Sequence, residues 1–418
     1  MRPAVLLGLS YGALGAARSL GRLGVPVHAV TGRRVVPAAR SRYVRGVVRL
    51  ELRPDTLGEL QALGHRLGRP VLIPTEDHSA LFVADHADAL HEAFVFPEQP
   101  PGVARAVSDK RSLFEVCSRL GVPTPATSFP QSRSDVLAFL ADAVFPVVVK
   151  GIDGSRLERR TGVKTAVVVN DSLELLAAYD RLEDPEVPNL LLQEFIPGGI
   201  DASWMFNGYF GDGSECLFGL TARKLRMYPP TGGVTTLGVC VPNGAVAEAA
   251  CGLMKELGYR GILDCGWRFD ARDGRYKVFD VNPRVGATFR LFVDSNGCDV
   301  VRALYRDLAG EPVAAGRPLP GRKWLLESHD LMPSFRYWRG GTLRPRSWLR
   351  SYRGVQELAW WSRDDPLPLF SMCLTTLARL VALPFRRLRP RVLREPAPFG
   401  LLRKRSLEVD TETVGPHS

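Results

Sequence analysis

The chain has 418 residues, 45% of them hydrophobic and 24% charged, a globular composition that excludes collagen-like and disordered chains and leaves room for two to four packed units. The formal charge is +11, but 47 of the 55 basic residues are arginine and eight are lysine. That skew is more simply genomic base composition than a polyanionic partner, and it makes the lysine positions informative.

In chain order, Arg2 and an apolar stretch over 4–17 have the outline of a secretion signal. Against it, Gly8, Gly12 and Gly15 have strand–turn–helix spacing, and Val27-His28-Ala29-Val30 follows as a second strand. Residues 1–107 alternate strands (5–7, 27–30, 71–73) with helices (12–24, 81–90), which predicts a parallel sheet flanked by helices. The three glycines resemble a dinucleotide fingerprint but miss its strict spacing. The second strand ends on Thr31-Gly32-Arg33-Arg34 without the acid that holds a ribose. NADP binding is therefore a rival, and a structural Rossmann-like role the expectation.

A helix is predicted over 109–120 with Ser108 as its cap, then a helix over 135–143 and a buried strand 147–150. A polar loop through Gly162, a strand 165–169, a helix 172–182 and a strand 190–193 follow. Further strands lie near 205–206 and 217–223, and a helix spans 245–257. Seven cysteines, never closer than eleven residues, leave no paired zinc or redox motif and no disulfide framework. A cytoplasmic location fits.

The next segment carries the chemistry. Asp264 in Gly261-Ile262-Leu263-Asp264-Cys265 and Asp280 in Val278-Phe279-Asp280-Val281-Asn282-Pro283-Arg284 each interrupt a short apolar run, with turn residues 270–274 between them. Two neighbouring strands thus bring two carboxylates and the Asn282 amide to one place. Such a hard-oxygen set suits Mg²⁺, which takes one or two carboxylates and completes its shell with water and nucleotide phosphates. After Pro312 the texture turns to Arg, Trp and Pro, which reads as a separate accessory region. The densest basic run, 386–391, is broken by proline and accompanies no nucleic-acid motif, so nucleic acid is not an expected partner. The apolar stretch before it is a poor membrane span; a helix docked on the catalytic core or on the partner in a homodimer is the expectation, with peripheral membrane contact through 367–391 as the alternative.

Lys110 at a helix start, Lys150 at the polar end of a strand, Gln193-Glu194-Phe195-Ile196, Asp264 and the Asp280–Arg284 segment match the ATP-grasp superfamily in order and spacing. The resemblance covers residues 1–312 and implies an α/β chain: a Rossmann-like domain (1–107), a first grasp lobe (108–188), and a second lobe with the nucleotide and metal site (189–312). An accessory region (313–402) and a disordered tail (403–418) complete the expected division. It implies a carboxylate–amine ligase that uses ATP with Mg²⁺, or Mn²⁺ in its place, on small-molecule acid and amine substrates. Lys110 and Lys150 then resemble the lysines that contact the phosphates. Gln193, Glu194, Phe195 and Ile196 resemble the adenine hinge, and Asp201 the ribose acid, one residue beyond its usual place. Asp264, Asp280 and Asn282 resemble the metal ligands, and Arg284 the residue that steadies the acyl phosphate and oxyanion. Arg223, Lys224 and Arg226, ahead of Pro229-Pro230-Thr231-Gly232-Gly233, look like a substrate-facing loop. The chain departs from the pattern in having Asp280 where Glu is usual, Gln193 where Glu is common, and few glycines in the loop 151–162, whose arginines are expected to close over the γ-phosphate. Two rival functions are a nucleotide-binding scaffold that has lost catalysis and an NADP-dependent oxidoreductase.

Overall fold

Three sheets organise the computed structural model, which describes residues 1–163, 166–228, 233–341 and 343–387. The first comprises β1 (Ala4–Leu7), α1 (Tyr11–Gly21), β2 (Val27–Val30), β3 (Val44–Val48), α2 (Leu57–Arg66) and β4 (Val71–Pro74). Its strands run parallel in the order β3-β2-β1-β4. β1 is buried along its whole length, as a parallel strand covered on both faces must be, which explains its unbroken apolar run. The helix predicted over 81–90 is two, α3 (Asp77–Asp85) and α4 (Ala87–His91), because His86 leaves helical geometry at φ −122°. Gly8 has φ +108°, where a side chain is strained. Gly12 lies against the backbone of Ala287, and Gly15 against Phe289 and Arg290. The fingerprint-like glycines let α1 approach another part of the protein closely.

The second sheet follows α5 (Val103–Ser108) and α6 (Lys110–Leu120). Asp109, not Ser108, caps α6: its carboxylate accepts from the Ser112 amide at 2.8 Å, while Ser108 ends α5. β5 (Thr127–Ser128), α7 (Arg133–Leu140), β6 (Val147–Gly151), α8 (Gly154–Thr161), β7 (Val167–Val169), α9 (Ser172–Leu182) and β8 (Leu190–Glu194) come next. The antiparallel order is β5-β8-β6-β7. β8, which the sequence division assigned to the second lobe, is a central strand here, paired with β6 from Val147↔Glu194 to Gly151↔Leu190.

The third sheet has seven strands in the order β13-β12-β9-β10-β11-β14-β15. It is built from β9 (Ser203–Phe210), β10 (Cys216–Tyr228), β11 (Val234–Cys240), β12 (Gly261–Asp270) and β13 (Arg275–Asn282), with α10 (Gly244–Glu256) between β11 and β12. One face packs Phe206, Phe210, Cys265 and Trp267 with Leu253 and Met254 of α10. The other packs Met205, Leu220 and Ala222 with Phe289, Leu291 and residues of α1. α11 (Val300–Leu308), β14 (Lys323–Leu325), α12 (Glu327–Arg339), α13 (Pro345–Ser351), β15 (Val355–Leu358) and α14 (Leu367–Arg387) complete the described chain.

The change of texture after Pro312 does not open a separate unit. β14 pairs antiparallel with β11, and β15 pairs parallel with β14, so the C-terminal residues finish the same sheet. Buried Arg18 of α1 pairs with Asp365 at 2.9 Å and donates to the Trp360 carbonyl at 2.7 Å, which fastens the following segment as well. The chain divides instead after Thr375. Residues 403–418 lie outside the described residues. Among the described residues, no helix is long and apolar enough to cross a membrane.

Candidate active site

Three adjacent strands carry one polar row. Asn207 of β9 pairs in register with Asp264 of β12, and Asp264 with Asn282 of β13. Side chains two apart on a strand share a face, so Asp280 joins Asn282 and Lys224 of β10 lies on the side of Leu220 and Asn207. Asn207 is fully buried. Its amide nitrogen donates to the Leu263 carbonyl at 3.1 Å and reaches Asp264 Oδ1 at 3.4 Å, while its Oδ1 has no partner. Burial raises the Asp264 carboxyl above the usual range and Asp280 adds to the rise, opposed by Arg284, Lys224 and Asn207. The Asn282 amide nitrogen donates to Asp280 Oδ2 at 3.0 Å and to the Asp264 carbonyl at 3.3 Å. Asn282 therefore presents nitrogen to the acids, and a half-turn of its amide exchanges it for oxygen. Arg284 Nε donates to Asp77 Oδ1 at 2.6 Å, and Nη1 lies 3.7 Å from Asp264 Oδ2. Burial works against the Arg284 charge, but Asp264, Asp77 and Asp280 more than restore it.

Lys150 approaches from the second sheet and Lys110 from the start of α6. Lys150 of β6 is held down to about 8, first by burial and then by the like charge of Lys110, with Asp280 of β13 acting the other way. Lys110 and Lys150 line one cleft with Leu191, Gln193, Val278 and Phe279, so its walls come from both the four-stranded and the seven-stranded sheet. Lys110 Nζ donates to the Ile152 carbonyl at 2.7 Å. Burial also lowers Lys224, opposed by Asp280 and Asp264.

The segment expected to hold adenine is latched by charge. Gln193 lines the cleft and donates to Thr127 Oγ1 at 2.9 Å. Glu194 accepts from the Ala126 amide at 3.1 Å, pairs with Lys277 at 3.3 Å, and bonds Arg272. Arg268 of β12 donates to the carbonyls of Ile196 at 2.9 Å and Gly198 at 2.6 Å, and to Ser203 Oγ at 3.1 Å. Phe195 is partly exposed and Ile196 buried. Asp201 is exposed in a single turn over Ile200–Ala202 and supports the charge of Arg268.

Three expectations need correction. Arg223 is adjacent to Lys224 and so faces the other side of the sheet, where its guanidinium lies 5.7 Å from the Trp204 ring, its cross-strand partner. A register shift between Lys224 and Arg226 breaks the alternation that would put Arg226 beside Lys224. Arg226 is instead buried against Asp330 of α12, at 2.9 Å from Nε and 2.6 Å from Nη2. Residues 229–232 of that loop lie outside the described residues. The polar segment 151–162 is mostly the helix α8, capped by Asp153, and two of its arginines are engaged away from the cleft: Arg156 pairs with Asp184 at 2.7 Å and Arg160 donates to the Leu182 carbonyl at 2.8 Å.

Sequence reasoning missed Asn207, Lys277, Tyr11 and Asp77. Lys277, one of eight lysines, carried the same signal of scarcity as Lys110 and Lys150. Asn207 is the lone amide inside Trp204-Met205-Phe206-Asn207-Gly208-Tyr209-Phe210. Tyr11 and Asp77 come from the N-terminal sheet's helices and reach Arg284 only through the fold.

No protein-family model matches the chain. By sequence it is similar to D-aspartate ligase of Enterococcus faecium, 24% identical over 245 residues, covering 57% of this chain and 58% of that protein. The chain spans about half the length of the curated relatives it matches. By structure it is similar to L-amino acid ligase from Bacillus licheniformis, with a TM-score of 0.55 and 18% identity over 77% of this chain and 75% of that one. It is also similar to the biotin carboxylase domain dimer of Hydrogenobacter thermophilus 2-oxoglutarate carboxylase, solved with MgADP, ADP and bicarbonate, with a TM-score of 0.57 and 16% identity over 77% and 73% of the two chains. The chain shares the fold of these two solved structures and is similar in sequence to the D-aspartate ligase over a little more than half of each protein.

Proposed function

We propose that the chain is an ATP-dependent ligase that activates a small-molecule carboxylate as an acyl phosphate and joins it to an amine. The observation that carries this reading is the row of Asn207, Asp264 and Asn282 in register on adjoining strands, with Asp280 within electrostatic reach both of Lys224 and of Lys150, which lines a cleft with Lys110. A triphosphate needs fixed cations, and a carboxylate is a poor electrophile until its leaving oxygen becomes a phosphate. The protein's contribution is position and charge neutralisation.

The donor set fits Mg²⁺. Asp264 is a buried acid raised by burial and by a second carboxylate, and Asn207, whose amide nitrogen reaches it at 3.4 Å, leaves its own Oδ1 without a partner. A cation bound at this place would answer both. Among the described residues no three His, Cys, Asp or Glu side chains converge, so an ion held by Asp264 and Asp280, with Asn282, would draw its remaining ligands from phosphate and water. Bound there, the ion would offset charge on the phosphates.

In the proposed reaction a carboxylate oxygen attacks the γ-phosphorus, the bond to the β,γ-bridging oxygen breaks, and ADP leaves. The amine nitrogen then attacks the acyl carbon, the carbon–oxygen bond to phosphate breaks, and the amine gives up a proton. Lys110 and Lys150 hold the phosphates, and Gln193 to Ile196 with Asp201 hold the nucleoside. Lys224 meets the acid, and Arg284 steadies the oxyanion, itself oriented by Asp77. Arg223 and Arg226 have no place in this scheme. A homodimer is the assembly proposed, supported by the biotin carboxylase domain dimer, and the location proposed is cytoplasmic. The test is an ADP-release screen over paired acids and amines with product masses recorded. An ADP signal requiring both partners, with a product lighter than their sum by one water, is expected; nucleotide turnover indifferent to every acid and amine would sink the reading.

A further inference from the structure

We propose that α12 and α13 form a docking surface for an anionic lipid bilayer. α12 turns Asp330, Pro333 and Ser334 inward, while Leu331 (69% exposed), Met332, Phe335 (53%) and Trp338 (53%) stand outward. Those four positions, at i, i+1, i+4 and i+7, occupy one face of a helix. The rings of Phe335 and Trp338 are 5.6 Å apart, and Leu349 of α13 is 63% exposed. Scattered exposed apolar residues are ordinary, but a face of this kind on a fixed element marks an interaction site.

The charges select the partner. Between residues 327 and 351 there are only two acids, and both are directed inward. Glu327 accepts the amides of Ala359 and Trp360 at 2.9 and 2.8 Å, and Asp330 is buried against Arg226. The five arginines of the same stretch, Arg336, Arg339, Arg344, Arg346 and Arg350, are exposed, and none forms an ion pair among the described residues. An apolar face bordered by one sign of charge matches the headgroup and acyl boundary of an anionic membrane. A second copy would set five arginines against five, and a nucleic acid would leave the Leu331–Phe335 side chains unmatched.

The surface is held rigid from below. Arg226 bridges Asp330 of α12 and Ser351 Oγ of α13 (2.6 Å), and Tyr352 and Thr236 hydroxyls each donate to Asp330 at 2.7 Å. The sequence placed membrane contact at 367–391, of which 388–391 lie outside the described residues; the surface argued here lies elsewhere and is independent of the proposed catalysis.

The experiment is flotation of the full chain with vesicles of phosphatidylcholine alone or with about one third phosphatidylglycerol, at low and high salt. Binding to the mixed vesicles only, weakened by salt, is expected. The double variants Phe335→Ala/Trp338→Ala and Arg346→Glu/Arg350→Glu should each lower the bound fraction about tenfold or more while nucleotide affinity stays unchanged. No flotation with either vesicle, equal flotation of the variants, or a dimer in sedimentation that Phe335→Ala/Trp338→Ala dissolves would overturn it.

Discussion

Lys150 and Asp280 stand on strands of different sheets, and the carboxylate of one wall supports the charge of the ammonium on the other. Each stands at a less buried position of its strand, where Val147, Val149 and Val281 alternate with it and are buried. Their opposite charges complement one another between the two sheets.

Removing either should therefore end turnover without unfolding the chain. Lys150→Ala and Asp280→Ala are each expected to lower ADP release by roughly 10²-fold or more, the scale on which one transition-state contact acts. Circular dichroism should stay that of the parent. Near-normal turnover in both variants would remove the catalytic assignment.

The lowered Lys150 gives a pH dependence with a definite sign. Below about pH 8 the ammonium is charged and, in the proposed scheme, holds phosphate; above it the charge is lost. Nucleotide affinity, followed by calorimetry, should fall as pH rises through that value. The stability of the free protein moves the other way. Between about 8 and the ordinary 10.5, the folded chain has released this proton and the unfolded chain has not, so the contribution of this group to stability rises with pH. Replacing Lys110 by Met removes a like charge and should move the affinity midpoint upward.

Gly286 lies so close to Asp264 that an added Cβ would overlap its carboxylate. Gly286→Ala must displace that acid, because the neighbouring Val285 and Phe289 are buried and leave little room to give. A loss of about 1–3 kcal/mol in denaturant unfolding is expected, together with a raised requirement for Mg²⁺ in ADP release. Parent-like ion dependence would show that Asp264 had not moved.

Arg226 and Asp330 should behave as a structural pair. Breaking it by Arg226→Ala or Asp330→Ala leaves a buried charge uncompensated, which costs about 3–5 kcal/mol. Nucleotide affinity measured on the folded fraction should be unchanged. A selective rise in KM for the acid, with stability intact, would instead return Arg226 to the substrate site.

Much of this was legible in the sequence because charged residues in apolar strands are conspicuous. Asp264, Asp280 and the lysines interrupt runs whose neighbours are plainly core, and the turn at 270–274 made their hairpin readable. β3 and β11 were not read, since Val-Arg-Gly-Val-Val alternates poorly and Val-Thr-Thr-Leu-Gly-Val-Cys has a glycine in its middle and no strict alternation. The failed assignments of Arg223 and Arg226 have one cause. Three cations in four residues look like a patch, but alternation turns Arg223 away and a local register shift redirects Arg226. Register shifts of this kind leave no composition signal. Asp77 and Tyr11 depend on the docking of α1 and α3, which arises from contacts far apart in the chain.

The continuity of the seven-stranded sheet past β11 bears on any attempt to shorten the chain. Truncation at residue 312 would strip the partner from Leu237, Gly238 and Val239, baring a long edge for aggregation. It would also strand the Arg18 guanidinium inside α1 without Asp365. A minimal fragment that keeps the cleft sound has to retain the segment through Asp365, although none of that segment touches a phosphate in the proposed scheme.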